Sequence, residues 1–323
     1  MTNAFEADDI EREYARVATA EIQFKLRNPT WRKRISDQFA EHLVAFPELS
    51  EINGLCEAAF VLASVRMAVR HGSWGDDFHA YHNELHTREI VDQRISLLRK
   101  QAGWSALSGT QWLMLWLFAA CHDLRQREDA TLSNQMVGAN ELGSCAETWR
   151  LLDLVGFDRS QHHVFYQSLR LMIAASTFTP SGSKPREIAN AMEATEAEME
   201  LVLLASDIDT ANVAEPITAL VRSAIRLVKE MEYRAGRGDL GRNSATHVLE
   251  FLTQSQKDYF TKQQRFESML GKKVFGPRKQ RNHRAVEALT EGLRQHFAGG
   301  LGGVTGRAII DELLERTRRL EPS

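Results

Sequence analysis

The chain has 323 residues, 40 Lys+Arg against 43 Asp+Glu, a formal charge of −3 and 43% hydrophobic residues. That balance is ordinary for a globule with a sizeable core. It excludes a disordered or collagen-like chain and the basic excess of a dedicated nucleic-acid binder. Three cysteines, Cys56, Cys121 and Cys145, with no CxxC pair, exclude a disulfide framework and a structural zinc ribbon; reduced thiols in a cytoplasm are expected.

No charged region followed by an apolar stretch opens the chain, so no signal peptide is expected. Residues 1–54 read as an N-terminal helical segment. Leu55, Ala59, Leu62, Val65, Met67 and Val69 then describe one apolar helical stripe. His71 to Gly75 is a loop, and the four histidines 71, 79, 82 and 86 fall within 16 residues. Ile90, Ile95, Leu97 and Leu98 mark a second stripe. The run Trp112 to Cys121, about 10 residues, is too short to cross a bilayer, so no membrane partner is expected. Its Met114 and Trp116 read as core. Leu169, Met172 and Ile173 form a further stripe, followed by the Thr179–Pro185 turn, and Leu201, Leu203, Leu204 and Ile208 form another. The basic stretch Lys272–Arg284 reads as a solvated face. Residues 298–306, with five glycines in nine positions, form a linker before a last helix from Arg307 to Leu320. That helix carries Ile309, Ile310, Leu313 and Leu314 on one side, fit to dock on the body or to make a homodimer. Seven prolines and no hairpin signal predict an all-α fold, with residues 55–297 as its core.

Three places carry chemistry. In Tyr81-His82-Asn83-Glu84-Leu85-His86, a helical conformation would put His82 and His86 on one face. His122-Asp123 ends the apolar run, where buried polar groups need partners; a divalent ion and a helix-end cap are equally good ones. Leu203–Asp209 delivers Asp207 and Asp209 from another apolar stretch. They are two apart, so only one is expected to face a site.

In this order, His86, His122-Asp123 and Asp207 resemble the H…HD…D pattern of the HD-domain superfamily of metal-dependent phosphohydrolases. Tyr81-His82-Asn83-x-x-His86 resembles the YHNxxH signature of class I cyclic nucleotide phosphodiesterases and of some small bacterial HD proteins. Ser133-Asn134-Gln135 is similar to their SNQ. Ser255-Gln256-x-x-Tyr259 is similar to their SQxxF. Met231-Glu-Tyr233, Gly236-Arg237 and Phe251-Leu252 resemble the later pattern of the small bacterial group.

The resemblance spans about residues 55 to 270 and implies a helical bundle with His86, His122, Asp123 and Asp207 as metal ligands. Zn²⁺, Fe²⁺ or Mn²⁺ would suit the first position, and Mg²⁺ or Mn²⁺ a second one bridged by Asp123. Metal-activated water would cleave a phosphate ester, most simply a cyclic nucleotide or related diester. Asp123 and His82 would be catalytic, His82 as the general acid. Tyr81, Asn83, Gln256 and Tyr259 would bind substrate, Gln256 at a base edge and Tyr259 by stacking. The sequence also departs from the phosphodiesterases. No third histidine follows His122-Asp123, the gap to the SNQ is three residues longer, and Ala175–Phe178 lacks an acid. Two alternatives therefore stand: a nucleotidase or pyrophosphohydrolase on the same core, and an inactive metal-bearing sensor or interaction protein. Glu128-Asp129 and His162-His163 read as surface features.

Overall fold

The computed structural model describes residues 5–179 and 181–320, and it is all-α. The only sheet among the described residues is a minimal antiparallel pair, Phe178–Thr179 with Gly182–Ser183, which begins one residue before the expected turn. The helix starts follow from local chemistry. Asn28 caps Pro29–Ala45 with proline at its first position, while Ser108 with Gln111 and Thr195 with Glu198 form capping boxes for Gly109–Cys121 and Glu196–Asp209.

Helix Ser50–Arg70 is the centre of the main core. It packs against Val17–Arg27, Pro29–Ala45 and Gly109–Cys121. The single stripe expected here was too narrow: every residue from Ala59 to Ala68 is buried, because helices surround it on several sides. By length and composition the stretch Pro47–Arg70 could cross a membrane, but 67% of its apolar window is packed inside the protein. The expected boundary at residue 54 falls inside this helix. Phe24, Trp31, Ile35 and Phe39 from the N-terminal helices join the same core as Phe60 and Trp116. Residues 5–14 are tied down by charge as well: Asp8 pairs with Arg70 (2.7 Å) and Glu11 with Arg150 (2.6 Å).

A second, smaller core lies between helices Ile217–Arg234, Ala245–Glu250, Gly276–His296 and Gly306–Leu320. The last helix thus docks on its own chain. Ile309, Ile310 and Leu313 are buried against Val228, Val248, Leu289 and Leu293. The apolar side proposed for a dimer is used internally.

Candidate metal centre and substrate cavity

The YHNELH segment is only half helical. Asn83 has extended backbone and caps the helix Glu84–Glu89, its Oδ1 accepting from the Leu85 amide at 2.8 Å. Its Nδ2 donates to the carbonyl of His79, and the residue is buried. Asn83 is therefore a structural cap, not a substrate ligand. His82 precedes the helix, so it does not share a helical face with His86. The extended cap residue still brings the two rings near each other, with centroids 6.5 Å apart.

His122 caps the C-terminal end of the apolar helix Gly109–Cys121. Its ring stacks on Phe118, and its Nδ1 lies 3.2 Å from the Phe118 carbonyl. A proton on Nδ1 donated to that carbonyl leaves the Nε2 lone pair facing Asp123. His86 Nε2 enters the same space. The fourth member is Asp209 rather than Asp207. Asp209 Oδ1 lies 3.1 Å from His86 Nε2 and 3.4 Å from His122 Nε2, and Asp123 Oδ2 lies 3.8 Å and 3.2 Å from the same atoms.

Asp207 is turned away because two residues are about 200° on a helix. It accepts from the Glu267 amide (2.8 Å), the Ser268 amide (2.9 Å) and the Ser268 hydroxyl (2.6 Å). A Cβ at Gly271 would meet its Oδ2 at 2.0 Å, so glycine is required there. Burial pushes the Asp207 carboxyl up to about 7 against these three donors. Its work is to anchor the start of helix Met269–Val274. Asp209 is held from behind: Arg94, itself buried, donates to the carbonyls of Ile208 (3.2 Å) and Asp209 and pairs with Glu215 at 2.7 Å.

The donor set fits a divalent ion. Ligands about 2.1 Å from one ion stand about 3.0 Å apart in an octahedron and about 3.4 Å apart in a tetrahedron. Three of the four distances, 3.1, 3.2 and 3.4 Å, fall in that range, and the fourth, His86 Nε2 to Asp123 Oδ2 at 3.8 Å, is longer. His122 Nε2 and Asp123 Oδ2 are also buried without a hydrogen-bond partner, an expensive arrangement that a cation would relieve. With only protein groups present, burial opposes every charge in the cluster. Even so, Asp123 and Asp209 hold His122 well above its ordinary range, and His122 holds Asp209 well below its own. For His86 burial wins, and its pKa is lowered. These opposed shifts mark a site built around charge.

His82 sits at the edge of this cluster. Its Nδ1 is 2.7 Å from Glu230 Oε1, while Glu230 Oε2 accepts from the amides of Tyr81 (2.8 Å) and His82 (3.0 Å). Arg234 pairs with the same Glu230 oxygen, Oε1, at 2.6 Å. Burial disfavours the imidazolium of His82, but Asp123 and Glu230 outweigh it and raise the pKa.

His82, His86, His122, Asp123 and Asp209 open into one cavity of about 400 Å³, which Tyr81, Gln256 and Tyr259 also line. Gln256 follows the short π-helical turn Phe251–Ser255 and Tyr259 opens a second, Tyr259–Gln263, turns of the kind that re-aim side chains at sites. The Tyr259 hydroxyl donates to Asn212 at 3.1 Å, and its ring lies 5.8 Å from Phe178. Sequence reasoning missed Gln126, Asn140, Glu141 and Arg234, which also line the cavity. Gln126 donates to Asp123 Oδ1 at 3.1 Å, and burial raises the Glu141 carboxyl. Glu232, inside the Met231-Glu-Tyr233 pattern, pairs with Arg237 and His247. Ser133-Asn134-Gln135 does not line the cavity; the Asn134 side chain accepts from the amides of Met136 and Val137. Glu128 pairs with Arg125, Asp129 caps a short turn, and His162 accepts from the Asp158 amide.

No family model, curated protein or solved structure matches the chain. The functional reading therefore stands on the motifs and on this geometry.

Proposed function

We propose that the protein is a metal-dependent phosphohydrolase of the HD type, acting as a phosphodiesterase on a nucleotide. The observation that carries this reading is the meeting of three parts in one cavity. They are the cluster His86, His122, Asp123 and Asp209, the clamped imidazole of His82, and the Gln256–Tyr259 wall. A divalent ion bound by the four donors supplies Lewis acidity and lowers the pKa of water. The chain's own groups do the rest. His82, whose protonated form its carboxylate neighbours favour, would give a proton to the leaving oxygen. Glu230 holds that ring in place through its side chain and two backbone amides, and Arg234 holds Glu230. Gln256 offers a donor and an acceptor to a base, and Tyr259 offers a face for stacking.

The test is metal analysis of the full-length chain with a Mn²⁺- and Mg²⁺-supplemented screen of cyclic mononucleotides, nucleoside monophosphates and a bridged bis-phosphate diester. Turnover of a diester, abolished by His122→Ala, is expected. Turnover of monophosphates alone would move the reading to a nucleotidase. Stoichiometric metal without hydrolysis of any ester would refute an enzyme and leave a metal-bearing sensor.

A further inference from the structure

The two remaining histidines of the 71–86 cluster, His71 and His79, form a separate group beside Glu230. His71 caps the central helix, and the chain then folds back tightly: a Cβ at Gly75 would meet the Val69 carbonyl oxygen at 1.7 Å. The His79 amide donates to the His71 carbonyl at 2.8 Å, closing the loop. The two imidazoles stack with centroids 4.3 Å apart and are almost wholly buried. Asp77 Oδ2 lies 3.1 Å from His79 Nε2 and 3.8 Å from His71 Nδ1, and one donor atom from each residue lies within 4.8 Å of the other two. Both ring nitrogens of His71 are buried without a hydrogen-bond partner. Nothing in the proposed hydrolysis uses this loop.

We propose that His71, Asp77 and His79 form a second metal site, for a Zn²⁺-class divalent cation, distinct from the centre at His86, His122, Asp123 and Asp209. Two imidazoles and a carboxylate are a donor set for such an ion, with further positions left to water. Access is through Asp77, whose side chain is 41% exposed and whose other oxygen pairs with Arg127 at 2.9 Å. Glu230 Oε1 lies 3.7 Å from His79 Nδ1, the carboxylate partner that orients many metal-binding imidazoles. Arg234 lies 3.2 Å from that same nitrogen, a donor contact that suits the ion-free tautomer. Metal capture at Nε2 puts the proton on Nδ1 and turns it to Glu230.

Co²⁺ titration of the full-length chain, followed by its visible absorption, tests the site. In the His122→Ala chain, which lacks the first centre, one equivalent of Co²⁺ is expected to bind still. Adding His71→Ala should abolish that absorption. Adding Asp77→Asn instead, at a half-exposed position that does not threaten folding, should weaken Co²⁺ binding about tenfold or more, since a change even in the groups behind a metal's ligands costs that much. No Co²⁺ bound to the His122→Ala chain would overturn the proposal. So would unchanged affinity in either added variant.

Discussion

Exchanging Asp207 and Asp209 for asparagine, one at a time, separates the metal ligand from the structural acid. Asp209 Oδ1 is the nearest carboxylate atom to His86 Nε2, at 3.1 Å, and its side chain is 18% exposed. Removing one partner from such a buried charged cluster costs about 3 to 5 kcal/mol. At about 1.4 kcal/mol per factor of ten, Asp209→Asn should weaken metal binding roughly a hundredfold to a few thousandfold. Asp207 accepts three hydrogen bonds, two of them through Oδ2. An asparagine amide leaves at least one donor there unpaired, a loss of about 1 to 3 kcal/mol of stability. Asp207→Asn should therefore lower the melting temperature by several degrees with little change in metal affinity. Equilibrium dialysis with Mn²⁺ or Zn²⁺, alongside thermal unfolding of the metal-free chains, reads both quantities. Metal loss in Asp207→Asn with affinity kept in Asp209→Asn would refute the assignment.

Other outcomes follow from the same geometry. His82→Ala should leave metal bound and slow turnover by about 10² to 10⁴; if metal content falls instead, His82 is a ligand and not the acid. Glu230→Gln removes a charge that raises the His82 pKa, so the alkaline limb of the kcat profile should move to lower pH, and an unmoved limb would separate Glu230 from proton transfer. Gln256→Ala should raise KM about 2- to 12-fold, the loss of one hydrogen bond worth about 0.5 to 1.5 kcal/mol, with a smaller effect on kcat. Burial opposes ionisation of Glu230 and Glu232, yet His82 and Arg237 with their neighbours hold both at about 2 in the folded chain, against 4.5 ordinarily. The stability they contribute is complete above about 4.5 and should disappear as pH falls towards 2, which acid unfolding of the Glu232→Gln chain against the parent would detect as a shallower loss.

The all-α class was legible because apolar residues recur at helical spacing and turn signals are few. Gly109–Cys121 delivering His122-Asp123 was legible for the same reason. The failures share one cause. Helix Glu196–Asp209 is buried on all sides from Leu201 to Ile208, so hydrophobic phase says nothing about which of Asp207 and Asp209 faces the ligands. Glu230 and Glu232 repeat the ambiguity two residues apart, both buried, one beside His82 and the other tied to Arg237. Asn83 misled differently: its side chain is spent on starting a helix, as asparagine before a helical run often is. Asn140 and Glu141 reach the cavity only because helix Ala139–Val155 folds back over the His122 end, a long-range arrangement without a local signature.

The cavity straddles a seam. His86, His122, Asp123 and Asp209 project from elements rooted in the main core, whereas Glu230 and Phe251 belong to elements that build the smaller one. The smaller core owes part of its closure to a helix hung on a glycine-rich tether. Ile309→Ala there removes about 2 to 5 kcal/mol of packing at a fully buried position. Cooperative units of unequal stability open one before the other. In mild denaturant Glu230, which positions His82, should therefore come loose while the ion is still held, and turnover should vanish at a lower urea concentration than metal release. The chain would pass through a loaded but silent state, and the tether helix would set how wide that interval is.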